Sequence, residues 1–153
     1  MQQPYNNHKG GGGYDRNRDS QSQKDPRLEY FEKNTLNLNE ANFNEFVEKV
    51  KNYCESAKFI TTSQIRNVFH SLKEIASSLK ENEDEQTTAV AGIQKLRPIL
   101  AYVGGKNEKA EFRAFMATLE NIASRVKKNK DVRNFYQLVE SIVCYLKFYH
   151  PKN

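Results

Sequence analysis

The sequence predicts an all-α protein, a compact five-helix bundle over residues 39–153 preceded by a disordered tail over residues 1–38. Three observations lead there. Beyond Asn39 the apolar residues recur at the three-and-four spacing of amphipathic helices. No segment alternates with period two for long enough to argue a strand. The first three dozen residues are dominated by Gln, Asn, Gly, Asp and Arg, which leaves little apolar surface to offset the entropy of ordering them. A chain of 153 residues accommodates one core comfortably and two poorly, so a single core is expected.

The tail contains the run Gly10 to Gly13. No Gly-Lys-Ser/Thr follows it and no strand precedes it, so it is not a phosphate-binding loop. Arg16 and Arg18 offer at most a loose contact to RNA, and the segment reads as a flexible leader. The first helix follows from Phe43, Phe46, Val47, Val50 and Tyr53, with Asn39 as its cap and its end near Ser56. Thr61, Thr62 and Ser63 supply hydroxyl caps for a second helix, whose stripe is Ile65, Val68, Phe69, Leu72, Ile75, Ala76 and Leu79. The acidic run Glu81 to Glu85 reads as a solvated turn.

Val90, Ile93, Leu96, Leu100 and Val103 set a third helix, which Pro98 is expected to kink or restart and which Gly104 and Gly105 are expected to stop. Phe112, Phe115, Met116, Leu119, Ile122, Ala123 and Val126 make a fourth. A fifth is capped by Asn129 or Asp131 and runs along Val132, Phe135, Tyr136, Val139, Ile142, Val143 and Leu146. Phe148 and at least one of the nearby tyrosines are assigned to the core, because rings at helical spacing usually are.

Charge is unevenly placed. Residues 1–39 carry six basic and five acidic groups, residues 40–94 six and nine, and residues 95–153 twelve and five. An excess of +7 in the last third suits a polyanion, since Lys and Arg that neutralise phosphates release condensed counterions. Three groups of cations stand out. The polar side of the second helix carries Ser63, Arg66, Asn67, His70 and Lys73. Lys106, Lys109 and Arg113 cluster at the start of the fourth helix, where amides also attract anions. Arg125, Lys127, Lys128, Lys130 and Arg133 form a denser run, ranked lower because cations commonly compensate a helix C-terminus.

Chemistry of other kinds finds no support. Cys54 and Cys144 are isolated among apolar residues and read as buried thiols, and His8, His70 and His150 show no ligand spacing, so neither a metal nor a cofactor is expected. Glu120 and Glu140 are single carboxylates on different helices, and no Ser/His/Asp set appears, so the protein is expected not to be an enzyme. No apolar stretch approaches a membrane span and the N-terminus lacks a signal-peptide core, so a cytoplasmic location without membrane contact is expected.

Three stretches in combination resemble one family. Residues 60–67, Ile-Thr-Thr-Ser-Gln-Ile-Arg-Asn, are similar to the Thr-Thr-Ser-x-Ile/Leu-Arg signature of the small subunit of type III-A (Csm) CRISPR effector complexes. Residues 96–106, from Leu96-Arg97-Pro98 through Tyr102 to Gly105-Lys106, resemble its Leu-Arg-Pro-x-x-x-Tyr-x-x-Gly-Arg segment. The closing stretch from Phe135 to Tyr149 is similar to its Phe-x-x-x-x-Glu-Ala-Ile-Val-Ala-Tyr-x-Lys ending.

The resemblance implies a helical subunit, stacked in several copies, that lies beside the backbone and large subunits and contacts crRNA and target RNA through phosphates in antiviral defence. Arg66, Arg97 and Lys106 carry over as phosphate contacts, with His70, Lys73, Lys109 and Arg113 as further candidates. Lys106 stands where the family has Arg, which keeps the charge and loses the bidentate fork. Ile99 stands where a basic residue is frequent, which implies a weaker or shifted RNA contact on that turn. The competing expectation is a helical protein adaptor with no direct RNA contact.

Overall fold

The computed structural model describes Gln2 and residues 24–153, and within them the chain forms six α-helices. These are α1 (Pro26–Asn34), α2 (Phe43–Ser56), α3 (Thr62–Ser77), α4 (Val90–Gly105), α5 (Ala110–Ser124) and α6 (Asn129–Tyr149), with a 3-10 turn at Thr35–Asn37. The five expected helices are α2 to α6. The sixth, α1, corrects the assignment of residues 26–38 to a disordered tail. The Gly10–Gly13 run, Arg16 and Arg18 lie outside the described residues.

Helix α1 forms because its ends are chemically specified. Asp25 accepts a hydrogen bond from the Arg27 amide at 2.9 Å, and Pro26 sits in the first turn, where its missing N–H is no loss. The Arg27 guanidinium grips the same carboxylate at 2.8 Å and donates to Ser56 Oγ at 2.6 Å, tying the start of α1 to the end of α2. Leu28 and Phe31 are buried, and Phe31 meets Phe46 and Tyr53 edge-on at 6.2 and 5.6 Å between centroids.

Helix α6, the longest, is central. It packs against α2 and α3 and buries Val132, Phe135, Leu138, Val139, Ile142 and Leu146, while α4 pairs with α5 and α1 lies against α5. The start of α3 has the reciprocal cap that its hydroxyls suggest. The Thr61 amide donates to Gln64 Oε1 at 2.8 Å, and the Gln64 amide donates to Thr61 Oγ1 at 3.4 Å. Asn39 caps a preliminary turn instead of α2 itself, accepting from the amides of Ala41 and Asn42 at 2.9 and 3.1 Å. Neither Asn129 nor Asp131 holds the cap position of α6, which falls to Lys128; Asp131, in the first turn, reaches back to accept from the amides of Lys127 and Lys128 at 3.0 and 3.3 Å. Cys54 is buried as expected, its thiol pushed up to about 12 by desolvation, whereas Cys144 is exposed.

Helix α4 departs from expectation at both of its breakers. It continues through Pro98, because Leu96 and Leu100 on either side are buried in the core while Pro98 faces outward. Gly104 and Gly105 are inside the helix with negative φ, not beyond its end. Gly104 is there for proximity, since a Cβ at this position would stand 2.8 Å from Met116 Cβ on α5. Gly104→Ala should therefore force α4 and α5 apart and cost roughly 1–3 kcal/mol. Gly105→Ala, which meets nothing within 4 Å, should gain about 0.5–1 kcal/mol by helix propensity. Urea denaturation of the two variants checks this, and equal midpoints would show that the α4–α5 crossing yields to a methyl group.

Candidate nucleic-acid interface

Helix geometry sorts the cations before any contact is considered. At 3.6 residues per turn, the nine residues between Arg97 and Lys106 are two and a half turns, so the two lie on opposite faces of α4. The structure places them accordingly. Lys106 and Tyr102 line a groove of about 420 Å³ between α3 and α4, with Ser63, Gln64 and Asn67 on the α3 wall. Val68 and Phe112, buried in the core, form its floor. Two segments separated by 28 residues of sequence, 60–67 and 96–106, thus line one groove. The Lys106 ammonium stands 5.3 Å from the centre of the Tyr102 ring.

Arg97 faces α5. Its Nε donates to Glu120 Oε1 at 2.8 Å and its Nη1 to Gln94 Oε1 at 3.1 Å. Gln94 in turn donates to the carbonyls of Ala123 and Val126 at 3.1 and 3.3 Å, where it satisfies the C-terminal end of α5. Arg97 is therefore a brace between α4 and α5, and Glu120 is its partner. Arg113 lines the neighbouring α4–α5 groove with Ala101, Gly105 and Glu120, away from Lys106. Lys109 is exposed at the first turn of α5, its amide held by Asn107 Oδ1 at 2.8 Å.

On α3, Arg66 and Lys73 bracket Phe69 at one turn before and one turn after. Phe69 stacks on Tyr136 of α6 with centroids 6.1 Å apart, so these two cations flank the α6 side of α3 and not the groove. His70 is exposed and 3.4 Å from Glu74. The seven candidates therefore do not form one patch. They divide among the α3–α4 groove, the α3–α6 flank and the α4–α5 side.

The dense run at residues 125–133 is largely occupied with holding the fold. Arg133 pairs with Asp84 at 2.8 Å, Lys128 with Glu85 at 3.1 Å, and Arg125 donates to the Glu32 carbonyl of α1. The acidic run is thus a docked loop and not merely a solvated turn. Among the described residues Arg66, Lys73, Lys95, Lys106, Lys109 and Arg113 have no carboxylate within ion-pair distance.

Lys95, on α4, joins the exposed cations of this side although it belongs to none of the three groups expected from the sequence. With Ile99, Tyr102 and Lys106 it follows the i, i+4, i+7, i+11 progression of one helix face, and that spacing was the available signal. The face is exposed, Ile99 at 48% and Tyr102 at 69%. Phe148 corrects a second expectation. It is 72% exposed instead of buried, because the opposite side of α6 supplies Ile142 and Leu146 to the core.

Among the described residues no group of three or more His, Cys, Asp or Glu side chains could hold a metal ion, and no helix is long and apolar enough to cross a membrane. The described residues thus form an all-helical fold with a groove whose lining includes Lys106 and no Asp or Glu. A family model described as Csm2 Type III-A matches residues 38–152, and the chain belongs to that family, the small subunit of type III-A CRISPR effector complexes. It is accordingly a member of a complex that contains other Csm subunits. No curated protein and no solved structure matches the chain.

Proposed function

We propose that the protein is a non-catalytic subunit that stacks in several copies along the type III-A complex and contacts the crRNA and target RNA backbone without reading sequence. The observation that carries this is the α4 face from Lys95 to Lys106, two cations without carboxylate partners on either side of Ile99 and Tyr102, beside a groove whose lining contains no acidic residue. At 1.5 Å per residue the two lysines are about 16 Å apart along the helix, a span suited to several phosphates of one strand. A subunit that serves every guide gains from charge and shape, because base pairing itself reads the sequence.

Of the three residues the family motifs carry over, Lys106 and Arg66 are contact candidates and Arg97 acts through the fold. Reversing Lys95 and Lys106 together to Glu should lower RNA affinity of the complex by at least tenfold and flatten the plot of log affinity against log salt by about one to two units. Arg97→Ala should leave that plot nearly unchanged and lower the melting temperature. Wild-type RNA affinity and salt slope in the lysine double variant would remove the α4 face from the RNA contact. The exposed Phe148 favours a second reading, a protein adaptor with no RNA contact. Ultraviolet crosslinking of the assembled complex to labelled RNA decides between them, since an adaptor would take no label.

A further inference from the structure

The α3–α4 groove offers more than a lysine for a phosphate. Its floor is apolar, at Val68 and Phe112, and its α3 wall is lined by two carboxamides. Gln64 uses its Oε1 in the helix cap, which leaves its NH2 without a partner among the described residues, and the Asn67 amide has none there either. At the rim the Tyr102 ring is largely exposed beside the Lys106 ammonium. The volume of about 420 Å³ is in the range of small-ligand sites.

A phosphate alone would use only Lys106. An apolar floor, one wall of amide donors and acceptors, an exposed ring and a cation at the mouth match a planar, polar-edged ring that carries an anion. We propose that this groove seats one unpaired nucleotide of an RNA strand, its base stacked on Tyr102 and its edge on Asn67 and Gln64, with the adjoining phosphate on Lys106. The site accepts any base. Stacking is tolerant of sequence, and a carboxamide presents both a donor and an acceptor. This inference rests on the RNA-contact reading above and extends it from the backbone to a base. The absence of carboxylates in the lining argues against a basic peptide as the occupant.

The test compares a single-stranded oligoribonucleotide with one of equal charge that carries abasic positions, both titrated against the full-length protein at fixed salt. The wild type should bind the abasic strand roughly tenfold more weakly. Tyr102→Ala should lose that preference, Tyr102→Phe should retain it, and Lys106→Ala should weaken binding of both strands alike. Equal affinity of the wild type for the two strands would overturn the base seat and leave the phosphate reading standing. Failure to bind either strand would overturn both. In the assembled complex, a photocrosslinking group placed on α4 at Ile99 should label RNA. Crosslinking there to a neighbouring subunit instead would make the groove a protein interface and overturn the seat.

Discussion

Phe31→Ala should cost about 3–5 kcal/mol of stability, the usual range for removing a fully buried aromatic ring. It should lower the melting temperature by on the order of 10 °C. Phe31 is 1% exposed and sits between Phe46 and Tyr53, and Tyr53 stacks in turn on Phe115 of α5 at 6.0 Å. Its deletion opens a void under α2 and α5 that the rigid helices around it cannot close. The result bears on the extent of the domain, because the family match begins at residue 38, beyond the end of α1. Calorimetry on the variant decides the point. A melting temperature within a degree or two of wild type would mean that α1 is a loosely held appendage and that the core is complete without it.

Asn129→Ala should be nearly as damaging, roughly 2–4 kcal/mol, because it removes a buried side chain and three hydrogen bonds at once and strands the buried Ala89 amide. Asn129 is fully buried at the start of α6. Its Oδ1 accepts from the Ala89 amide at 3.0 Å, and its Nδ2 donates to the Glu83 carbonyl at 2.9 Å and to Thr88 Oγ1 at 3.0 Å. Its own amide donates to the Gln86 carbonyl at 2.7 Å. One side chain therefore fastens the whole connection between α3 and α4, and the pairs Arg133–Asp84 and Lys128–Glu85 close over it. The surface pairs contribute less, so Asp84→Asn and Glu85→Gln together should cost at most about 1 kcal/mol. Chemical denaturation of both variants tests the ranking, and a larger loss from the surface pair than from Asn129 would reverse it.

The site was partly legible before folding. The Ile60 and Leu96 segments were found by their residues, and helical periodicity set Arg66, His70, Lys73 and Lys106 outward. Arg97 was grouped with Lys106 although nine residues of α-helix separate opposite faces, and Lys95 was missed although eleven residues separate nearly equal ones. The engagement of Arg97 by Glu120 and of Arg133 by Asp84 links residues 23 and 49 positions apart. No local pattern states which of many charges will be neighbours after packing.

What the sequence determined by itself is the helical class, the five long helices and their buried stripes, a hydroxyl cap within Thr61 to Ser63 and the family, because these rest on spacings within a turn or two. Helix α1 was lost among its polar neighbours. Nine residues with two buried side chains are marginal alone, and the helix is secured by a pocket built from Phe46, Tyr53 and α5. Only the tertiary structure decided that Gly104 serves a helix crossing, that Phe148 stays in solvent, that the densest cationic run is spent on the fold, and that Tyr102 and Asn67 face one groove. Each of these depends on which helix lies against which, and that is settled by the burial of whole faces together.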